Sequence, residues 1–199
     1  MAVQLKNRLK NGPVDPERAT GKVREVFDDI LRVRGVVDKD KGIASGINIL
    51  WTTYGHSPTT LERNWYCNEK VMRSGNVPYN MKQSIAIVVA TAWGCDGWAL
   101  YHQNALQAEG EDIETIRAIR NIDPSIPERE RAVFELVQQA VIDVSQITRE
   151  DITRLSDLGW SDSDIVEMID VAAFAIGEAL FGDVLTETLD ESGNKFKLT

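Results

Sequence analysis

The sequence has little cysteine, little histidine and no long apolar run. Only two Cys and two His occur among 199 residues, too few cysteines for a disulfide framework. The longest apolar stretch, residues 85–94, is about half the length of a membrane span. The first residues, MAVQLKNRLKNGP, lack the apolar core of a secretory signal. We therefore expect a cytoplasmic protein with no membrane partner.

A surplus of positive charge is also lacking. The 22 Lys and Arg face 31 Asp and Glu, and the net charge of −9 argues against nucleic acid as a partner. The charge is unevenly divided, with +5 over residues 1–82 and −14 over residues 83–199. Ordinary solvated surfaces show such a division, and so do chains whose basic part meets the acidic part of a second copy.

Cofactor motifs are missing as well. The chain has no glycine-rich phosphate loop, no nucleotide motif and no His/Cys/Asp/Glu cluster with metal-ligand spacing. We therefore expect no cofactor and no metal. The partner that remains is a small-molecule substrate, whose identity the sequence leaves open.

Helical periodicity runs through nearly the whole sequence. The segments predicted to be helical are residues 16–34, 43–54, 59–73, 80–93, 96–108, 112–119, 128–144, 148–158 and 161–181. The fold class expected is therefore all-α. We divide the chain into an N-terminal helical extension (1–42), a helical domain (43–182) and a polar C-terminal tail (183–199), of which residues 187–199 are expected to fray.

One predicted helix stands out because it has no polar face. Residues 85–93 are apolar apart from one threonine, which indicates a helix buried on all sides at the centre of the fold. A chain of this size is expected to supply only part of that cover, which favours a homo-oligomer.

Four helix starts carry capping residues. Ser57 precedes Pro58, and Thr148 and Ser161 each precede an acidic first turn. The segment Asn80-Met-Lys-Gln83 has the spacing of a capping box, which would by itself account for Gln83.

The residues with reactive side chains concentrate in the segment from Trp93 to His102. Cys95 follows a glycine and opens a helix, where the helix dipole lowers a thiol pKa, whereas the neighbouring Asp96 raises it. Cys95 and His102 lie seven residues apart, about 10 Å along a helix, which is too far for a direct ion pair. With Trp98 between them, all three side chains are also ordinary in a packed core.

The spacing of these residues resembles the carboxymuconolactone decarboxylase/alkylhydroperoxidase AhpD-like superfamily. Its peroxidase members carry Cys-x-x-Cys-x-x-x-His, with a Glu twelve residues before the first Cys. Here Gln83, Cys95, Trp98 and His102 occupy those four positions. The resemblance extends over residues 43–182, and it implies an AhpD-like helical bundle that assembles into dimers, trimers or hexamers.

Two positions depart from the peroxidase pattern. Trp98 replaces the second cysteine, so a disulfide-cycling peroxidase would lack one of its thiols. Gln83 replaces the glutamate of the proton relay, and an amide forms hydrogen bonds without taking up a proton. Cys67, in another predicted helix, is either an alternative second thiol or a packing residue.

The decarboxylase branch of the superfamily needs no redox cysteine. Trp93-Gly94 and His102 match its spacing, although Gly97-Trp98 stands where Tyr-Glu is usual. This branch moves protons without a cofactor, and His102 is the side chain with an ordinary pKa near neutrality. The resemblance implies Asp96 and Tyr101 as partners, with Gln83 and main-chain amides at the oxyanion.

Three hypotheses about function follow. The first is a cofactor-independent enzyme that decarboxylates or isomerises a small carbonyl or carboxylate compound through His102. The second is a thiol-dependent, alkylhydroperoxidase-like enzyme with Cys95 as a lone reactive thiol, and the third is a non-catalytic ligand-binding homologue. The predicted catalytic residues are His102, Cys95 and Gln83, and the predicted substrate contacts are Trp93, Asp96, Trp98 and Tyr101.

Overall fold

The computed structural model describes residues 3–36 and 46–198 and confirms the all-α prediction. Its helices are α1 (Gly21–Arg34), α2 (Ile49–Tyr54), α3 (Pro58–Arg73), α4 (Tyr79–Trp93), α5 (Asp96–Ala108), α6 (Ile113–Asn121), α7 (Glu128–Asp143), α8 (Arg149–Asp157) and α9 (Asp162–Leu185). A 3₁₀ turn, Val144–Gln146, follows α7. The predicted helix start at residue 43 and the predicted boundary at residues 42/43 lie outside the described residues.

Helix α4 is the centre of the fold, as its lack of a polar face predicts. Residues 81–90 are all buried, and α5, α6, α7 and α9 pack around them. The chain itself supplies this cover. The expectation that α4 needs a second subunit to bury it was therefore wrong, and self-association has to be argued from other surfaces.

A second, smaller core joins the N-terminal helices to the rest of the molecule. Phe27 and Ile30 of α1, Trp51 and Tyr54 of α2 and Trp65 of α3 are buried in it. Trp98 of α5 and Phe181 of α9 pack against the same cluster. Because most of these side chains are aromatic, they surround nearby polar groups with large apolar surfaces.

The predicted positions of the helix caps are confirmed with one exception. Thr148 and Ser161 form capping boxes with Asp151 and Asp164. Ser57 holds the predicted N-cap position of α3 before Pro58, but its hydroxyl pairs with the Thr60 hydroxyl and makes no capping hydrogen bond to the backbone.

The exception is Asn80, which was wrongly predicted as a cap. Helix α4 begins one residue earlier, at Tyr79, and Pro78 occupies the cap position. Gln83 is therefore not a capping residue, and its amide is available to the interior of the protein.

The C-terminal residues are ordered, contrary to the expected fraying. Helix α9 continues to Leu185, and strand β2 (Thr186–Leu189) pairs antiparallel with β1 (Gln4–Asn7), Gln4 opposite Leu189. Phe196 is only 1% exposed. Two segments from opposite ends of the chain stabilise each other here, and neither pattern alone predicts the pairing.

Candidate active site

His102 and Gln83 form the buried polar contact at the centre of the predicted site. His102, on α5, is 5% exposed, and its Nδ1 lies 2.6 Å from Oε1 of Gln83 on α4. An amide oxygen only accepts, so Nδ1 carries the proton and Nε2 keeps a lone pair. Nε2 is buried and has no hydrogen-bond partner within the described ranges. The contact therefore fixes one tautomer and leaves one acceptor atom free.

The imidazole of His102 is neutral at physiological pH. Burial lowers the pKa of His102, and repulsion by the Arg34 guanidinium lowers it further, to about 3. Gln83 adds no negative charge that would stabilise an imidazolium. The ring is therefore a hydrogen-bond and proton acceptor in its resting state.

Two aromatic side chains of α5 enclose the imidazole. Trp98 and Tyr101 stack on each other with ring centroids 4.8 Å apart. Both rings meet the His102 ring edge-on, at 5.2 Å and 5.0 Å between centroids. Trp98, which stands at the position of the second family cysteine, thus excludes water from the histidine rather than supplying a thiol.

Arg34, the last residue of α1, supplies the positive charge of this region. Its Cζ atom lies 5.1 Å, 5.5 Å and 5.8 Å from the ring centroids of Trp51, Trp65 and Tyr101. Nη2 donates to Asn68 Oδ1 at 3.2 Å, while Nε and Nη1 are buried without a partner in the described structure. A guanidinium on aromatic faces with free N–H groups is suited to bind an anion.

Glu178, on α9, is a buried carboxyl that the sequence analysis missed. It is 3% exposed, and the Tyr54 hydroxyl donates to its Oε1 at 2.7 Å. Burial raises the pKa of Glu178 to about 7, against the opposing effects of Tyr54, Arg34 and Arg63. Glu178 is the only charged residue between positions 171 and 182. This lone carboxylate in an apolar stretch was the sequence signal that could have identified it.

Cys95 is a buried thiol rather than an activated thiolate. As the N-cap of α5 it donates from Sγ to Asp183 Oδ1 at 3.2 Å. Burial, followed by the Asp183 carboxylate, raises the pKa of Cys95 to about 12. These two effects outweigh the lowering expected at a helix N-terminus. Cys67 is also a free thiol, and no disulfide joins the two.

The remaining predicted substrate contacts are Trp93 and Asp96. Trp93 is 40% exposed at the end of α4, and Asp96 pairs with Lys197 at 3.2 Å.

Cys95, Trp98 and Tyr101 line a cavity of about 40 Å³ between α5 and the β strands. The structure thus brings together His102, Gln83, Trp98 and Tyr101. The substrate-binding roles of Trp93 and Asp96 stay predictions.

No metal centre is formed by the side chains that the structure describes. No group of three or more His, Cys, Asp or Glu side chains among them is placed to hold an ion.

Comparisons with known proteins identify the fold. No protein-family model and no curated protein matches the chain. Among solved structures, an uncharacterized peroxidase-related protein from Silicibacter sp. TM1040 superposes with a TM-score of 0.76 at 15% identity, covering 90% of this chain and 89% of that one. An alkylhydroperoxidase AhpD core protein from Ralstonia eutropha JMP134, also described as uncharacterized and peroxidase-related, gives 0.72 at 13% identity, with coverage of 92% and 90%.

A third similar structure is the debrominase Bmp8, determined as a cysteine-to-alanine variant in complex with 2,3,4-tribromopyrrole. It gives a TM-score of 0.71 at 14% identity and covers 86% of this chain and 87% of that one. All three likenesses are likenesses of fold. The chain thus has an all-α fold like that of these peroxidase-related proteins. More particularly, it has the AhpD-like fold that the spacing of Gln83, Cys95 and His102 predicted.

Proposed function

We propose that this protein is a cofactor-independent acid/base enzyme that acts on a small carbonyl compound bearing a carboxylate, with His102 as the proton acceptor. The observation that carries this proposal is the free lone pair of His102 Nε2, in a ring whose other nitrogen is held by Gln83 at 2.6 Å. The lone pair of this oriented, neutral ring is available, and the ring becomes an effective base when substrate binding raises its pKa toward the working pH.

The reaction supported by this arrangement is proton transfer next to a carbonyl group. Nε2 takes a proton from the carbon, the electron pair of the C–H bond enters the enolate, and the imidazolium returns the proton at another carbon. Gln83 keeps Nδ1–H in place throughout, so its role is to orient the base. This differs from the oxyanion role that the resemblance implies.

The charge of Arg34 favours a substrate that carries a carboxylate. Arg34 lowers the pKa of His102, because its positive charge repels the imidazolium. A bound carboxylate that pairs with the guanidinium would cancel this repulsion and raise the pKa of His102. The base therefore becomes stronger when an anionic substrate is bound.

The thiol-dependent hypothesis receives less support. A peroxide-reactive cysteine needs a thiolate, and the Cys95 thiol is buried, bonded to Asp183 and high in pKa. The same cysteine is well placed to pack α5 against α9.

The test measures deuterium uptake from solvent into pyruvate and levulinate, two small oxo acids, by proton NMR. We expect the wild-type protein to accelerate uptake and His102→Gln to lose about 100-fold or more of the rate. His56→Gln is the matched control, because His56 is exposed and bonded to the Gly12 carbonyl. Full activity in His102→Gln would exclude the proposal. Binding of the oxo acids without any exchange would favour the non-catalytic hypothesis.

A further inference from the structure

Buried polar atoms without partners concentrate around Arg34. Within residues 3–36 and 46–198 they include Arg34 Nε and Nη1, Trp51 Nε1, Trp98 Nε1, His102 Nε2 and Glu178 Oε2. Nearly all buried polar atoms in folded proteins form hydrogen bonds. Several unpaired atoms in one neighbourhood therefore indicate a binding site for a polar ligand.

The side chains around these atoms form a series of spatial contacts that runs from Glu178 to His102. The guanidinium carbon of Arg34 lies 5.1 Å from the ring centroid of Trp51 and 5.8 Å from that of Tyr101. The Trp51 ring is 5.9 Å from Tyr54, whose hydroxyl holds Glu178. Tyr101 in turn contacts His102 with ring centroids 5.0 Å apart. Arg34 is thus linked by ring contacts to both the carboxyl and the imidazole, and its charge lowers the pKa of each.

The balance of donors and acceptors indicates the class of ligand. Arg34 and the two indoles offer N–H donors, and the free Arg34 groups suit the two oxygens of a carboxylate. His102 Nε2 and Glu178 Oε2 are the groups left to contact the rest of the ligand. The site therefore fits a small carboxylate with a second oxygen function.

We propose that Glu178 is a second catalytic residue of this site, the general acid that acts opposite the His102 base while Arg34 binds the substrate carboxylate. This inference rests on the proposed function and adds to it a proton donor and a substrate-binding residue.

The surroundings of Glu178 suit this role. Tyr54 holds Oε1 and leaves Oε2 free. A cavity of about 210 Å³ between α3 and α9 is lined by Tyr54, Arg63, Phe174 and Glu178 among others. The charged and titratable groups that act on it are Tyr54 from α2, Arg34 from α1 and Arg63 from α3.

The pKa values of His102 and Glu178 also differ in the direction that an acid/base pair requires. At neutral pH the pKa of about 3 keeps His102 unprotonated, whereas the pKa of about 7 leaves Glu178 substantially protonated. Environments that separate two pKa values in this way assign one group as base and the other as acid.

The proton transfers balance without a co-reactant. His102 Nε2 takes a proton from the carbon next to the carbonyl, and the C–H electron pair forms the carbon–carbon double bond of an enol. The carbonyl oxygen receives the Glu178 proton, which leaves a carboxylate on the enzyme. In the second half the enol returns its O–H proton to Glu178, and the imidazolium protonates a carbon, so both groups regain their starting forms.

The first test is the exchange assay with pyruvate and levulinate on Glu178→Gln. The wild-type rate should decline above pH 7, where Glu178 loses its proton. We expect Glu178→Gln to lose about 100-fold or more of the rate and to lack this decline. Asp170→Asn is the matched control, because Asp170 is an exposed acid on the same helix. Retention of both the rate and the decline in Glu178→Gln overturns the proposal.

A second variant separates a catalytic role from a structural one. Tyr54 lowers the pKa of Glu178 by its hydrogen bond, so Tyr54→Phe should raise that pKa and move the decline in rate to higher pH. A role in packing alone would lower the rate without moving the decline. An unmoved decline in a folded Tyr54→Phe protein overturns the proposal.

An infrared titration distinguishes failure of the Glu178 role from failure of the proposed function. The wild-type spectrum should contain the carbonyl stretch of a protonated carboxylic acid below pH 7 that disappears above it, and Glu178→Gln should lack this band. If the wild-type protein lacks the band while His102→Gln abolishes exchange, the role of Glu178 is excluded and the proposed function stands. If His102→Gln keeps full exchange, the proposed function itself fails.

Discussion

Gln83 determines the charge of the histidine that it contacts. A carboxylate at this position would stabilise an imidazolium, whereas the amide accepts the Nδ1 proton and adds no charge. Burial and Arg34 then act without opposition and keep the pKa of His102 near 3. One amide in place of a carboxylate thus leaves an oriented, neutral imidazole.

Gln83→Glu should reverse this effect. The new carboxylate lies within hydrogen-bond distance of Nδ1, and an opposite charge favours the protonated ring, so the pKa of His102 should rise from about 3 toward its ordinary value. NMR titration of the imidazole C–H resonances measures this pKa, and His56, which is exposed, is the internal control. If the His102 resonance titrates as in the wild-type protein, Gln83 does not set its charge.

At the scale of elements, α5 depends on a close approach to the C-terminal strand. A Cβ added to Gly97 would overlap the Thr188 side chain of β2. Thr188 is held in place because it pairs with Leu5 of β1. The glycine therefore allows the helix that carries Trp98 and His102 to pack directly on the two-stranded sheet.

Gly97→Ala should lower the free energy of unfolding by about 1–3 kcal/mol, the usual cost of overpacking. Gly177→Ala is the control, because a Cβ at that α9 position meets nothing within 4 Å. This control should be stabilised by roughly 0.5–1 kcal/mol, since alanine favours a helix interior over glycine. Urea denaturation measures both values, and equal stability of Gly97→Ala and wild type would exclude the proposed close packing.

The elements that were predicted correctly are those with strong local patterns. The apolar run of α4 and the capping boxes at Thr148 and Ser161 specify their helices within a few residues of sequence. The β1–β2 pairing was missed because its two strands are far apart in the chain and short. The start of α4 was missed by one residue, which was enough to give Gln83 a capping role that it does not have.

At the scale of the whole molecule, an exposed apolar stripe runs along α9. Val166, Ile169, Leu180 and Val184 are all exposed, and their spacing places them on one face of the helix. Among residues 3–36 and 46–198, none of the helices combines the length and apolarity that a bilayer crossing requires. We propose that a second copy of the chain packs on this stripe, in line with the homo-oligomer that the resemblance implies.

The double substitution Ile169→Lys with Leu180→Lys should therefore produce a monomer. Charges at the centre of an apolar interface stay unpaired and oppose association. Val144→Lys is the control, since Val144 is equally apolar and exposed but lies outside α9. Sedimentation velocity measures the assembly state. A monomeric wild-type protein, or an oligomer that survives the double substitution, would contradict the proposal.

The sequence by itself determined the helical class and the central position of α4, and the resemblance implied that Gln83 and His102 share a site. The first two properties follow from local periodicity. Only the tertiary structure decided that Cys95 is a buried thiol with a raised pKa, that His102 is neutral and that Glu178 is a buried acid. A pKa depends on desolvation and on charges contributed by distant segments. Arg34, Tyr54 and Asp183 supply those effects from α1, α2 and α9, and folding alone brings them together.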